Sequence, residues 1–267
     1  MHMVKVVPYN PDWPKLFEEE AAKIKDALGG NCIRIHHVGS TSVPGLAAKP
    51  IIDMIPVVRD ILNVNSSALE ALGYIAHGEY GMAFRRLFHK GKTERTHHMH
   101  IWEEGSPEID KHLLFRDYLI KNPLEAKRYA DLKYQLIEEA KALPNLTQQQ
   151  INIHYMCNKD PLIREMRQKS GYEGLSIVQA LMDDEWRSYH RIRGATESLG
   201  KIETLNHYHF VLIKCSDVIG MFHIELFENE RAILHHLAID TAYQNQGHEV
   251  MLRKLAEKWA NHQGCKI

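Results

Sequence analysis

Residues 37–55 read HVGSTSVPGLAAKPIIDMI, and this stretch decides the expected fold of the first part of the chain. The apolar residues that precede Gly39 predict a short strand, and the Gly- and Ser-containing residues after it predict a tight loop. The apolar run at 51–58 then predicts a buried strand that carries one acid, Asp53. Glycine lets a backbone approach a phosphate closely, and loop amides and hydroxyls can donate hydrogen bonds to its oxygens. The stretch therefore predicts a phosphate site next to a strand carboxylate.

Asp53 is the candidate metal ligand and the candidate catalytic residue of this site. A carboxylate on the strand that follows such a loop can hold Mg²⁺ or another divalent cation between itself and the phosphates. In nucleotidyl transfer, that metal offsets the negative charge that develops at phosphorus. Two simpler interpretations stay open: Asp53 accepts hydrogen bonds from loop amides alone, and Gly39 and Gly45 are ordinary turn glycines.

Further motifs follow the loop in order along the first part of the chain. They are FRRLF at 84–88, HMH at 98–100, HLLFRDYL at 112–119, YADLK at 129–133 and NKD at 158–160. Together with the loop, they resemble the GrpB family of the nucleotidyltransferase-fold superfamily over about residues 4–168. The resemblance implies a mixed α+β or α/β sheet with C-terminal helices, and a nucleotide or another phosphate-bearing small molecule as ligand.

The candidate ligand-binding residues combine the loop with imidazole and basic side chains at motif positions. They are Gly39, Ser40, Thr41, Lys49, Arg86, His98, His100, Arg116 and Lys159. Arg can bind phosphate through two nitrogens and Lys as a point charge. Each basic residue also fits a solvated charge or an ion-pair partner, and the two histidines, which share a strand face, also fit a hydrogen-bonded pair.

Ile55 distinguishes this sequence from the active enzymes of the superfamily. Those enzymes usually carry a second acid two residues after the first, and an isoleucine side chain cannot bind a cation. The sequence therefore favours a one-metal or ligand-binding role over two-metal nucleotidyl transfer.

The second part of the chain begins after a series of long helices. The apolar periodicity predicts helices at roughly 107–120, 123–142 and 146–168. A polar, Gly-containing stretch at 169–174 then separates two predicted domains, 1–170 and 175–267.

The segment QNQG at 244–247 lies between a predicted strand and a predicted helix. The free amides and dipole of a helix N-terminus make such a loop suitable for pyrophosphate. The region resembles the GNAT acyltransferases, which implies that Gln244, Gln246 and Gly247 bind acetyl-CoA. Glu249 replaces the last small residue of the GNAT loop, and we expect a partial α/β domain that is incomplete at its C-terminus.

The overall composition narrows the class of protein. The chain has 33 Lys and Arg against 34 Asp and Glu, a net charge of -1, which argues against nucleic acid or a membrane surface as partner. It contains no run of 18 apolar residues, so no transmembrane helix is predicted. Its 4 cysteines are far apart, which favours reduced thiols and a cytoplasmic location.

Three functional hypotheses follow. The leading one is a GrpB-type, nucleotidyltransferase-like domain that binds a nucleotide or phosphate ligand with a divalent cation and is linked to a GNAT-like domain, with transferase chemistry. The alternatives are an acetyl-CoA-dependent N-acetyltransferase whose first domain recognises the substrate, and a catalytically inactive interaction protein. An unpaired sheet edge near residue 240 further predicts a homodimer formed through the C-terminal part.

Overall fold

The computed structural model describes residues 5–91, 94–142, 147–194, 201–202 and 204–267. The chain divides into two compact units. The first comprises Met1–Gly78 and Arg85–Glu173, and the second comprises Glu79–Phe84 and Gly174–Ile267. Within the described residues, no helix has the length and apolar character needed to cross a bilayer. The mixed α+β class predicted from the sequence is confirmed.

The first unit is built on a five-stranded sheet with the order β1-β2-β5-β4-β3. Its strands are β1 (Cys32–Val38), β2 (Ile52–Val58), β3 (Tyr74–Ala76), β4 (Arg86–Lys90) and β5 (His97–Glu103). Helix α1 (Trp13–Leu28) precedes the sheet, and α2 (Ser66–Ala71) connects β2 to β3. The pair β2 and β5 is parallel, and the other pairs are antiparallel.

The strand register of this sheet determines which residues lie on either side of Asp53. Asp53 pairs with Val38 of β1 on one side and with His98 of β5 on the other. Because Val38 is the last residue of β1, the loop that starts at Gly39 begins directly beside the carboxylate.

Three long helices complete the first unit: α3 (Pro107–Lys121), α4 (Pro123–Ala142) and α5 (Gln148–Lys169). They confirm the three predicted helices, although residue 146, the predicted start of the third, lies outside the described residues. The side chain of Thr147 accepts a hydrogen bond from Gln150 N and caps α5. Apolar residues of the loop pack with these helices in one core: Val43, Leu46, Leu119, Tyr129, Leu162 and Met166. Burial of this core fixes the loop against α4 and α5.

The second unit contains an antiparallel four-stranded sheet with the order β6-β7-β8-β9. Its elements are β6 (Leu175–Gln179), α6 (Asp183–Arg193), β7 (His207–Lys214), β8 (Asp217–Leu226), β9 (Ala232–Ile239) and α7 (His248–His262). Helix α7 packs on one sheet face through Trp259, beside Phe210 and Phe222. Helix α6 packs on the other face, where Trp186 and Tyr189 form a core with Val211 and Met221.

Residues 79–84 belong to the second unit although they lie far from its other residues in the sequence. The amide of Gln179 donates to Gly81 O at 2.8 Å, and the amide of Ala83 donates to Ile177 O at 3.2 Å. The side chain of Ala83 is buried in the core that holds α7. The segment therefore extends the sheet beyond β6 as a short irregular edge.

Candidate functional site

The loop after β1 is shaped by Gly39. This residue has φ 71° and ψ −173°, and the turn of 3₁₀ helix Ser40–Ser42 follows it. A Cβ atom on residue 39 would overlap Oδ2 of Asp53 and lie 2.9 Å from the Cβ of Asp53. Two features therefore require glycine at position 39: its positive φ is unfavourable for residues with a Cβ atom, and a Cβ atom would overlap the Asp53 carboxylate.

Asp53 lies at the base of this loop beside His98. Nδ1 of His98 is 3.5 Å from Oδ1 of Asp53. Burial raises the pKa of Asp53, but the hydrogen bond and charge of His98 outweigh that effect, so its pKa lies below the usual value. His100 is farther into the sheet, where burial and then the neighbouring His112 lower its pKa to about 3. His100 is therefore neutral at physiological pH.

Lys133 of α4 is the most buried cation of the site, with 2 % of the residue exposed. Its ammonium group donates to Ser40 Oγ at 2.7 Å and to Ala47 O at 2.7 Å. It also lies 4.2 Å from the centre of the Tyr129 ring. Two ends of the loop are thus joined to one helical side chain.

Lys49 and Lys159 share a second aromatic ring. The Nζ atoms of Lys49 and Lys159 lie 4.4 Å and 4.7 Å from the centre of the Tyr155 ring. Lys49 comes from the loop before β2 and Lys159 from α5, so the ring joins two separate segments. Such contacts stabilise cations that are partly removed from water.

The pKa values of Lys49 and Lys133 depend on burial, on Lys159 and on Asp53. Burial lowers the pKa of Lys133 to about 7 and that of Lys49 to about 8. The charge of Lys159 contributes to both of these shifts, whereas the charge of Asp53 opposes them. Burial also lowers the pKa of Lys159 itself. Asp53 acts on all three lysines and Asp160 acts on Lys159 alone, so the three ammonium groups outnumber the carboxylates that oppose them.

A second concave site lies at the C-terminal end of β9 in the other unit. It is a cavity of about 710 Å³. Its lining residues come from α6, the end of β9, the following loop and the first turn of α7: Arg191, Ile192, Leu237, Ala238, Ile239, Asp240, Thr241, Tyr243, Gln244, Asn245, Gly247, His248, Glu249 and Val250. Gly247 precedes α7 with φ 81°, and Arg191 forms an ion pair with Asp240.

Comparison with known proteins identifies both parts of the chain. The family model "GrpB protein" matches residues 3–169. The chain belongs to the GrpB family. A model of the acetyltransferase (GNAT) family matches residues 177–267, so a GNAT domain follows the GrpB domain.

Individual relatives are similar to part of this chain. UPF0157 protein YqkA of Bacillus subtilis is 50% identical over 135 residues, which cover 50% of this chain and 39% of YqkA. UPF0157 protein BH1888 of Halalkalibacterium halodurans is 34% identical over 169 residues, which cover 62% of this chain and 82% of BH1888. The crystal structure of GrpB from Enterococcus faecalis has 42% identity and a TM-score of 0.56, and the match covers 62% of this chain and 96% of that one. The chain thus spans only about two fifths of YqkA.

The GrpB domain brings many of the predicted ligand residues together around Asp53. Gly39 and Ser40 lie in the loop beside Asp53 and Lys133. Lys49 lies at the end of the loop, and Lys159 of α5 is close enough to lower its pKa. Thr41 is also in the loop, but its hydroxyl donates to Ile51 O at 3.2 Å and lies 3.0 Å from His37 Nε2. The Thr41 side chain therefore holds β1, the loop and β2 together.

Two predicted arginines of the GrpB domain have other surroundings. Arg86 pairs with Ile101 in the sheet, so it projects to the face opposite Asp53 and His98. Arg116 donates to Asp117 Oδ1 at 2.7 Å and to His37 O at 3.0 Å, which connects α3 to β1. The guanidinium next to His100 is that of Arg85, at 3.4 Å from Nδ1.

Lys133, Tyr129 and Tyr155 were not predicted as site residues. The spacing contains a signal for them, because Tyr129 and Lys133 are four residues apart on α4, and Tyr155 and Lys159 are four residues apart on α5. Residues at this spacing share a helix face, so each helix presents an aromatic ring and a lysine side by side on one face. The pattern is weak in the sequence alone because solvated lysines show the same spacing.

The GNAT domain places two of its three predicted cofactor residues at the cavity. Gln244 and Gly247 line it, whereas Gln246 is not among its lining residues. Glu249 lines it as well, in the first turn of α7. The acid that departs from the GNAT pattern therefore lies at the cavity wall.

Proposed function

We propose that the GrpB domain binds a phosphate-bearing small molecule, of which a nucleotide is the best candidate, at the loop beside Asp53. The observation that carries the proposal is the convergence of Lys49, Lys133 and Lys159 on this loop, where Asp53 is the one carboxylate of the described residues that acts on all three. Their lowered pKa values mean that burial makes the protonated form less favourable than it is in water. A phosphate group would supply the missing negative charge and restore the protonated state.

The proposal is for binding, with the lysines as the main source of affinity. Ile55 occupies the position two residues after Asp53 and is fully buried, so β2 offers one acid to a cation. Among the described residues, Asp53 does not belong to a group of three His, Cys, Asp or Glu side chains with ligand spacing. Mg²⁺ would therefore enter with the nucleotide, bound by its phosphates and by Asp53, and would strengthen binding without being required for it.

Calorimetric titration of ATP into the full chain, with and without Mg²⁺, tests this proposal. Lys133→Met should weaken ATP binding about tenfold or more, since a charge-assisted hydrogen bond contributes roughly 1.5–3 kcal/mol. Lys127→Met is the matched control, because Lys127 lies on the same helix but is exposed and paired with Asp131. Equal ATP affinities of the wild type and Lys133→Met would contradict the proposal. So would ATP binding that occurs only with Mg²⁺ and is lost in Asp53→Asn.

We further propose that the GNAT domain binds acetyl-CoA in the cavity at the end of β9 and transfers its acetyl group to an amine. The match of the GNAT family model to this region and the position of Gly247 at the start of α7 support this second function. The N-terminus of α7 would face the pyrophosphate. Acetyl-CoA titration, with CoA as the comparison ligand, checks it, and a lack of binding to either would leave the GNAT domain as a packing or interaction module.

A further inference from the structure

A cluster of three histidines and one glutamate lies on one face of the second unit's sheet. Strand β7 contributes His207, β8 contributes His223 and Glu225, and β9 contributes His235. His207 pairs directly with Glu225, and His209 pairs with His223. Because paired residues project to the same sheet face, the side chains of His207, His223 and Glu225 point in one direction.

A β-bulge brings His235 to this group. Strand β9 pairs His236 with His223, and then Leu234 with Ile224, so the register leaves His235 as an extra residue. An extra residue of this kind re-aims its side chain relative to a regular strand. The rings of His235 and His223 consequently stack with their centres 4.8 Å apart.

The nitrogen atoms of the three rings are close enough to share one ion. Each ring offers one ligand nitrogen, and these three atoms lie within 4.8 Å of one another. Nδ1 of His207 and Nε2 of His223 are 2.7 Å apart. In this contact one nitrogen is the donor and the other is the acceptor, and an acceptor nitrogen has the free lone pair that a metal ion binds.

Glu225 supplies negative charge and orientation to the same group. Its Oε2 lies 2.6 Å from Nε2 of His235, and its Oε1 lies 3.5 Å from Nε2 of His207. A carboxylate that contacts histidine rings in this way fixes their orientation and increases the basicity of their other nitrogen.

We propose that His207, His223 and His235 form a binding site for a transition-metal ion of the Zn²⁺ type, with Glu225 as the supporting carboxylate. Imidazole ligands favour zinc and its neighbours over Mg²⁺ and Ca²⁺, which prefer oxygen. The site is separate from the acetyl-CoA proposal, because none of these four residues lines the cavity of about 710 Å³. It would connect the three successive strands β7, β8 and β9.

The test uses the full chain after removal of metals with a chelator. Zn²⁺ is titrated in competition with a chromophoric chelator, and Co²⁺ is used to record ligand-field absorption. His235→Asn should remove one equivalent of bound Zn²⁺, together with the corresponding Co²⁺ absorption. Glu225→Gln should weaken Zn²⁺ binding roughly 10–100-fold, the usual effect of losing a supporting partner of a ligand.

His236→Asn is the matched control. His236 is the next residue on the same strand, and its Nε2 lies 3.0 Å from the guanidinium nitrogen Nη2 of Arg193. This variant should keep the wild-type Zn²⁺ stoichiometry and affinity. Zn²⁺ binding by histidines elsewhere in the chain should be the same in all variants. The difference in Zn²⁺ binding between His235→Asn and His236→Asn therefore measures the contribution of the cluster.

Folding is checked independently of metal binding. Circular dichroism of the metal-free variants should match that of the wild type, and Zn²⁺ should raise the thermal midpoint of the wild type and His236→Asn but not of His235→Asn. If His235→Asn does not fold, His207→Asn replaces it. Equal Zn²⁺ binding by the wild type and by the cluster variants, or the absence of binding at micromolar Zn²⁺, would overturn the proposal.

Discussion

The ammonium group of Lys133 donates a hydrogen bond of 2.7 Å to the hydroxyl oxygen of Ser40, across 93 positions of the chain. A second bond, to Ala47 O, fixes the same nitrogen to the other end of the loop. An ammonium group has three N–H donors, so these two bonds leave one donor for a ligand. Lys133 therefore organises the loop and supplies charge to the same site.

The lowered pKa of Lys133 predicts how stability depends on pH. With a pKa of about 7 in the folded state and about 10.4 in the unfolded chain, Lys133 binds more protons when unfolded. Stability should therefore rise as the pH increases from 7 towards 10, since folding releases a proton in this range. Lys133→Met should reduce this rise, measured as the thermal midpoint at pH 6.5, 7.5 and 8.5.

The control for this prediction is Lys127→Met, which should keep the wild-type slope. Lys49 also has a lowered pKa, so part of the slope should remain in Lys133→Met. A slope that is identical in the wild type and in Lys133→Met would mean that Lys133 titrates normally.

The same lysines predict that phosphate binding weakens at high pH. ATP should bind best when Lys133 and Lys49 are protonated, so its affinity should fall about tenfold or more between pH 7 and pH 9. This range lies above the second pKa of a phosphate group, roughly 6, so the charge of the ligand changes little. Calorimetry across the range measures the effect, and a constant affinity would speak against lysine-dependent binding.

Replacement of Gly39 tests whether the close approach of the loop to Asp53 is needed for ATP binding and stability. Gly39→Ala should abolish ATP binding and lower the thermal midpoint, because the new methyl group would overlap the carboxylate. Gly45→Ala is a close control: residue 45 also has a positive φ, 78°, but a Cβ atom added there would have no neighbouring atom within 4 Å. Gly45→Ala should therefore show only the backbone strain, on the order of 1–3 kcal/mol. A milder effect at position 39 than at position 45 would exclude the steric explanation.

Glu249 should weaken acetyl-CoA binding through its charge. Glu249→Gln should increase the affinity for acetyl-CoA about fivefold, since removal of a charge near pyrophosphate in water changes the interaction by roughly 1 kcal/mol. Glu257→Gln, farther along α7 and outside the cavity lining, should leave the affinity unchanged. Titration of acetyl-CoA into both variants makes the comparison, and an unchanged affinity in Glu249→Gln would show that its carboxylate does not approach the pyrophosphate.

We propose that the chain forms a homodimer through the edge of the second sheet. In the described residues, β9 pairs with β8 along one side, and on the other side Ala232 N donates to Lys266 O. Strand residues beyond this contact offer backbone groups to a second copy. Light scattering at micromolar concentration should give twice the monomer mass of 30.9 kDa, and the monomer mass would rule the dimer out.

Local patterns in the sequence determined the elements of the GrpB domain. The alternation of apolar runs and Gly-containing turns predicted β1, the loop and β2, and the apolar periodicity after Pro107 predicted α3, α4 and α5. These signals are reliable because they depend on neighbours within one or two turns of chain. The family resemblance rested on the same local motifs and is confirmed over residues 3–169.

The composition of the sites was decided by tertiary structure. Lys133 meets Ser40 only because the strand order and the rotation of α4 bring the helix to the loop, and Arg86 projects away from Asp53 because of its register with Ile101. The bulge that adds His235 to the histidine cluster depends likewise on the pairing of β8 with β9. Strand order, register and helix rotation are set by packing between distant segments, so a local sequence pattern predicts each element but not which side chains the elements bring together.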